Sequence, residues 1–240
     1  MEVVKIDDDG WLEQPARRAP RSSSGPAACP HGPLLLVVVI GTLVGLAFAF
    51  LYPPWAGGAD EGTHFARAYE MANGTLVPGE VNGEQGALIP ASIRDDQDRV
   101  VANIWGPAPF DGSVLFDLIT SSPDWDDTVL FDTKPTLAAT PVSYAPSAIA
   151  MVLPARMGWP GLVALWFGRV ANLAVYLALV AMAVHVATAF RWTLAIAALF
   201  PMNLGIAASL SPDGLTIGAF LLVVAVWTRV WNPPCPADGD

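Results

Sequence analysis

Nineteen consecutive positions, residues 34–52, carry no charged side chain. About 20 apolar residues span the hydrocarbon core of a bilayer, so this run restricts the fold more than any other feature. Three further apolar runs follow at residues 162–187, 192–210 and 214–231. Only 14% of the residues are charged, well below the roughly 25% of an average globular domain, as expected when apolar residues gather into spans. A cleaved signal peptide would have a shorter apolar region of about 7–15 residues and a small-x-small site, where this chain has Pro53-Pro54-Trp55. The first run is therefore expected to remain as an anchor. The expected fold is an all-α membrane protein with about four transmembrane helices, an outer-face loop domain with short helices, and an interfacial segment.

Residues 1–33 are polar, rich in Pro, Ser and Arg, and lack apolar periodicity, which predicts a disordered tail. Arg17, Arg18 and Arg21 favour a cytoplasmic position for it. Within the apolar run, Gly41 and Gly45 form a G-x-x-x-G that can admit a second helix, although the spacing also arises by chance. Residues 53–143 form a hydrophilic loop with fourteen acidic and four basic side chains. That balance argues against a nucleic-acid partner, which needs a basic surface. Within the loop, Asp60 is expected to cap a helix that stops at Asn73-Gly74, and Ser92 with Asp95 to cap a second one reaching about Ile104. The remainder, with Pro107, Pro109, Pro123 and Pro135, reads as irregular.

Residues 144–159 are apolar but short, interrupted by Pro146 and Pro154, and contain Arg156. An interfacial or re-entrant segment suits that length better than a span. If it does not cross, Arg191 and Arg229 join the N-terminal arginines on the cytoplasmic side, giving four spans in the plasma membrane with a cytoplasmic tail at residues 232–240. Both cysteines, Cys29 and Cys235, then sit in a reducing compartment without evident partners. The lipid bilayer is the one partner this pattern demands, and oligomeric state is not readable from it.

The densest chemistry lies in Asp60-Glu61-Gly62-Thr63-His64-Phe65, with Arg67 and Tyr69 behind. On a helix, Asp60, His64, Arg67 and Met71 share one face. A carboxylate there can serve as general base toward a hydroxyl, or simply cap the helix and meet its dipole. His64 could orient or protonate a partner and Arg67 could hold a phosphate, or both could be surface contacts. Arg169 stands inside an apolar run with Asn172 and Tyr176 on the same face. Such a group faces protein or a cavity, unless it snorkels to the interface. Asp213 follows Ser211-Pro212, a helix start, and the four-span topology brings it to the side of Asp60. Asp60, Glu61 and Asp213 could hold a divalent metal, but no spacing demands one.

The stretch from Pro53 through Asp60-Glu61-Gly62-Thr63-His64-Phe65-Ala66-Arg67-Ala68-Tyr69 resembles the PP-D-E-x-x-H-F-x-R-A signature of domain-of-unknown-function family 2142, bacterial membrane proteins. Tyr144-Ala145-Pro146, Gly168-Arg169-Val170-Ala171-Asn172, Phe200-Pro201-Met202 and Ser209-Leu210-Ser211-Pro212-Asp213-Gly214-Leu215-Thr216 agree with it in order and spacing. Pro212 stands where an aromatic residue is common. That family is similar to the glycosyltransferase C superfamily of the cell envelope, whose members take sugars from polyprenyl-phosphate carriers. The resemblance implies Asp60 as general base with Glu61 supporting it, and Asp213 as a second acidic site. It implies His64, Arg67, Arg169 and Asn172 as groups that bind the donor and its departing phosphate. No other cofactor is implied. Members are longer, with more spans after the fourth, so this chain is expected to be the N-terminal portion of such a fold. A reading of a different class is a non-catalytic membrane protein that binds partners through its acidic loop. A transporter would need ionisable groups deep in the membrane, and Arg169 lies too close to one edge.

Overall fold

The computed structural model describes residues 31–232 apart from 57–59, 78, 82–83, 125 and 137–138. Nearly all of both expected tails, with Cys29 and Cys235, lies outside that description. Among the described residues, three helices are long and apolar enough to cross a membrane: α1 (Gly32–Leu51), α6 (Gly161–Val186) and α9 (Asp213–Trp231). Between the first two come α2 (Glu61–Ala72), α3 (Ala91–Trp105), α4 (Ser113–Thr120) and α5 (Pro141–Arg156), and between the last two α7 (Arg191–Ala198) and α8 (Pro201–Ala207).

The glycines at 41 and 45 act as a notch. A Cβ at Gly41 would lie 2.6 Å from Leu177 Cδ2, and one at Gly45 would lie 2.5 Å from Leu173 Cδ1. The pair therefore receives two leucines of α6 from within the same chain. At 26 residues α6 is about 39 Å long, more than a bilayer core requires. Its Arg169 bonds to carbonyls at the end of α1, so the two turns before it project beyond α1 into the loop-derived layer.

The continuous helix expected over residues 192–210 is broken into α7 and α8. Pro201 has no N–H, and the residue before it is forced into an extended conformation, with Phe200 at φ −56°, ψ 134°. The break leaves the carbonyls of Ala197 and Ala198 without their usual helical donors. Asn203 Nδ2 donates to Ala197 O at 2.8 Å, and Tyr176 Oη donates to Ala198 O at 2.7 Å. Ala197 O also receives the Phe200 N–H at 3.4 Å, and the side-chain donors matter because an underpaired carbonyl in apolar surroundings is costly.

Residues 53–143 are more ordered than an irregular loop, and they add three short strands to a mostly helical chain. Strands β1 (Gly79–Val81), β2 (Glu84–Pro90) and β3 (Thr128–Asp132) form an antiparallel sheet in the order β1-β2-β3. Ala87 and Ile89 point into the core while Leu88 is exposed, the two-residue period of a strand. Gly86 is required, since a Cβ there would lie 2.4 Å from the carbonyl oxygen of Phe131 across the ladder. Ser92 does not cap α3. Pro90 precedes that helix, and the Ser92 hydroxyl accepts the N–H of Asp124 at 3.3 Å.

The prolines of residues 144–159 do not interrupt their helix, which runs through Pro146 and Pro154 from a start at Pro141. It lies along α6 at Gly168, where a Cβ would come within 2.5 Å of Met151 and 3.3 Å of Ser147. Two apolar clusters result. One joins the sheet layer to the start of α6 through Phe65, Tyr69, Ile93, Met151 and Leu165, and the other fills the bundle through Val37, Leu173, Val180 and Leu204. Tyr176→Phe is expected to lower stability by about 1–3 kcal/mol through the orphaned Ala198 carbonyl, measured by thermal unfolding in detergent.

Candidate functional site

Glu61 opens α2, and its carboxylate turns into the protein rather than toward solvent, with a side chain only 1% exposed. It meets Arg169, whose side chain is fully buried. Arg169 Nε donates to Glu61 Oε1 at 2.8 Å, and Nη2 donates to Oε2 at 2.5 Å. The remaining N–H groups reach the carbonyls of Ala49, Tyr52 and Pro53 at 2.9, 3.1 and 3.0 Å. All five guanidinium donors are used. Such a fork geometry is what makes a buried arginine tolerable, because each desolvated donor has an acceptor. Neither snorkelling nor contact with an open cavity describes Arg169 in this structure.

Arg67 is also occupied. It is 4% exposed, pairs with Glu70 at 2.7 Å, and donates to the carbonyls of Thr75 and Leu76. Its guanidinium thus ties the end of α2 to the chain that follows, although the helical spacing places it on the face of His64. Asn172 Nδ2 donates to Ser209 O at 2.9 Å and holds the turn leading to α9.

His64 and Asp213 remain at a polar cleft of about 440 Å³ at the loop-bearing end of the bundle, and Asp60 lies outside its lining but close enough to His64 for their charges to interact. His64 and Asp213 line the cleft together with Tyr144, Thr136, Thr140, Ser143 and Thr216. His64 Nδ1 and Tyr144 Oη are 2.8 Å apart. Burial pulls the His64 pKa down, and the charges of Asp213, then Asp60 and Glu61, push it back up. Burial drives the Tyr144 phenol up to about 12, opposed by a hydrogen bond with Thr136. The phenol therefore stays protonated near neutral pH, and one hydrogen bond to Nδ1 fixes the imidazole and directs Nε2 elsewhere.

Asp60 precedes α2 with φ 59°, ψ 18°, in the left-handed region, and its side chain makes no cap hydrogen bond. Its backbone carbonyl, instead, accepts the N–H groups of Thr63 and His64 at 2.9 and 3.0 Å. The carboxylate is exposed rather than consumed as a cap. Asp213 begins α9, and its N–H donates to the Ser211 hydroxyl at 3.2 Å. Among the described residues, no group of three or more His, Cys, Asp or Glu side chains is arranged to hold a metal ion. Glu61, one of the three carboxylates considered for that role, is bonded to Arg169.

Sequence reasoning found both acids and the imidazole but assigned nothing to Tyr144, Thr136, Thr140, Ser143 or Thr216. Tyr144 and Thr216 left a trace, as parts of the Tyr144-Ala145-Pro146 stretch and of the stretch that ends Asp213-Gly214-Leu215-Thr216. The approach of Tyr144 to His64 joins residues 80 positions apart, which spacing does not reveal.

A mostly helical chain with three apolar helices of membrane-spanning length and a polar cleft at one end of the bundle is an integral membrane protein. It belongs to the family described as predicted membrane protein (DUF2142), whose profile matches residues 42–235. No curated protein and no solved structure matches it.

The charge of Asp213 holds the His64 pKa up, so Asp213→Asn is expected to lower it further below 6.5, read by NMR titration of labelled histidine. Because the folded-state pKa lies below the unfolded value, the contribution of His64 to stability is present above pH 6.5. It is lost as pH falls through the lowered value. Asp213→Asn moves that loss to lower pH and enlarges it.

Proposed function

We propose that this chain belongs to a glycosyltransferase-C-like enzyme that transfers a sugar from a polyprenyl-phosphate-linked donor to an outer-face acceptor. The observation that carries this reading is the polar cleft in which α2, α5 and α9 present His64, Tyr144 and Asp213, with Asp60 beside it. In this mechanism the Asp60 carboxylate takes the proton of the acceptor hydroxyl as its oxygen attacks the anomeric carbon. The bond from that carbon to the carrier phosphate breaks, and the phosphate leaves with the electron pair. His64, oriented by Tyr144, donates to the leaving oxygen, and the hydroxyls of Thr140, Ser143 and Thr216 line its path. Asp213 is the second acidic site. Glu61 and Arg169 support the reaction by placing the start of α2, since their polar groups are bonded to the protein itself.

The same reading places the protein in a bacterial plasma membrane, with the broken pair α7–α8 as a fourth crossing. Arg191 and Arg229 lie at the bundle end remote from the cleft, the end that the positive-inside rule assigns to the cytoplasm. A non-catalytic membrane protein is the second reading. It is favoured by the engagement of Glu61, Arg67 and Arg169 in internal bonds, which leaves no arginine among the described residues at the cleft lining for a phosphate.

Asp60→Asn in the full-length protein is expected to reduce transfer by about 10²–10⁴-fold, the usual contribution of a general base. The assay follows radiolabelled sugar from polyprenyl phosphate to acceptor in membrane vesicles, with insertion checked by protease protection. Undiminished transfer removes Asp60 as base, and absence of transfer from the unaltered protein supports the second reading.

A further inference from the structure

The short helix α4 presents more apolar surface than the protein covers. At about 100° per residue, Val114 and Leu118 face the core, Ser113, Asp117 and Thr120 form a polar arc, and Leu115, Ile119 and Phe116 fill the arc between them. Leu118 is buried, yet Phe116 is 70% exposed and Ile119 is also exposed. The charges nearby keep to the polar arc: Asp117 pairs with Arg99 at 3.0 Å, and Arg99 also reaches Asp96. The Asp111 carboxylate is turned back onto the N–H of Ser113 at 2.9 Å.

The neighbouring helix α3 carries the same transition along its length. Arg94, Asp98, Val101 and Trp105 follow one another on a single exposed stripe. The first two form an ion pair at 2.9 Å, while Val101 is exposed and Trp105 is 73% exposed. The stripe changes from charged to apolar toward the end of α3 that approaches α1. Phe110, in the turn between α3 and α4, is 62% exposed and extends the patch. Its position explains the change. An apolar cavity of about 450 Å³ separates the α3–α4 hairpin from the end of α1 and the start of α6, lined by Phe50, Leu51, Ile104, Phe110, Ile119 and Trp166. Leu51 and Phe50 are themselves exposed side chains of a membrane-spanning helix. The patch is therefore continuous with surface that already faces lipid.

We propose that the α3–α4 hairpin is a membrane-seated foot, which lies in the bilayer interface at the loop-bearing end with Trp105, Phe110, Phe116 and Ile119 among the acyl chains. Water against this surface and in the adjoining cavity would be costly, and lipid chains entering beside α1 cover both. The polar arc of α4, with the Asp117–Arg99 pair, faces the headgroups and water, as in an interfacial amphipathic helix. Trp105 at the end of its helix occupies the level where aromatic side chains gather at membrane boundaries. The foot fixes how closely the cleft-bearing layer approaches the membrane surface, and it stands independently of the reaction proposed for the cleft.

The test uses the full chain with Cys29→Ser and Cys235→Ser, reconstituted in vesicles of phosphatidylethanolamine and phosphatidylglycerol. Single nitroxide labels are placed through Phe116→Cys, Ile119→Cys, Ser113→Cys and Thr120→Cys, all at exposed positions. Electron paramagnetic resonance then compares collisions with oxygen, which concentrates in lipid, and with a water-soluble nickel chelate. The foot predicts an oxygen-to-nickel ratio several-fold higher at 116 and 119 than at 113 and 120. Equal, water-like ratios at all four positions overturn the proposal. So do labels at 116 and 119 that are immobilised and shielded from both reagents, because another protein surface would then cover the patch.

Discussion

One buried ion pair holds the end of this bundle together. Arg169 enters from α6, Glu61 from α2, and the guanidinium also reaches three carbonyls where α1 finishes. Glu61 additionally lies 3.4 Å from the N–H of Leu210, in the turn between α8 and α9. Four separate parts of the chain thus converge on two side chains. Removing both charges from water carries a desolvation cost of several kcal/mol per ion, which their attraction and the extra hydrogen bonds must offset. The benefit is positional. Few other contacts would bring the start of a helical layer and the ends of three bundle elements into one register.

The cleft inherits that register. With Glu61 fixed, the backbone at Asp60 adopts a left-handed conformation, a state aspartate accepts more readily than most residues. That conformation leaves its carboxylate outside the helix and carries His64 one turn on toward Tyr144 of α5. Opposite, Asn172 grips Ser209, and Ser211 receives the N–H of Asp213, so the start of α9 is held from two sides. The polar residues fall into two groups with different tasks. Glu61, Arg67, Arg169 and Asn172 bond to the protein, whereas His64, Tyr144 and Asp213 line open space and the exposed Asp60 lies near His64. The break between α7 and α8 follows the same economy, since side chains from α6 and α8 supply donors that Pro201 removes from the backbone.

Much of this was legible in advance where a local rule governs. Length and hydropathy located α1, α6 and α9 to within a few residues, because a span must be apolar along its whole course. The stop after Ala72 followed from Asn73-Gly74. The break at Phe200–Pro201 was open to prediction from the proline alone, but the uncharged surroundings suggested a continuous span. Strands β2 and β3 escaped notice because they are short and pair across two intervening helices. Non-local pairing also hid the division of the polar residues. An arginine in an apolar run reads as functional, and only its distance from Glu61, 108 positions earlier, identifies what it serves. Tyr144 was hidden for the same reason. The notch at Gly41 and Gly45 was visible as a motif, but its occupants, Leu173 and Leu177, were not.

Glu61 and Arg169 act as one unit that organises the loop-bearing end. A double-mutant cycle on thermal stability in detergent, with Glu61→Leu, Arg169→Met and the two combined, measures it directly. Each single change is expected to lower stability by about 3–5 kcal/mol, because it strands a buried charge. The combined variant should lose much less than the sum, with the remainder set by the three carbonyls that Arg169 no longer serves. Losses that simply add, with no coupling between the two positions, would contradict it.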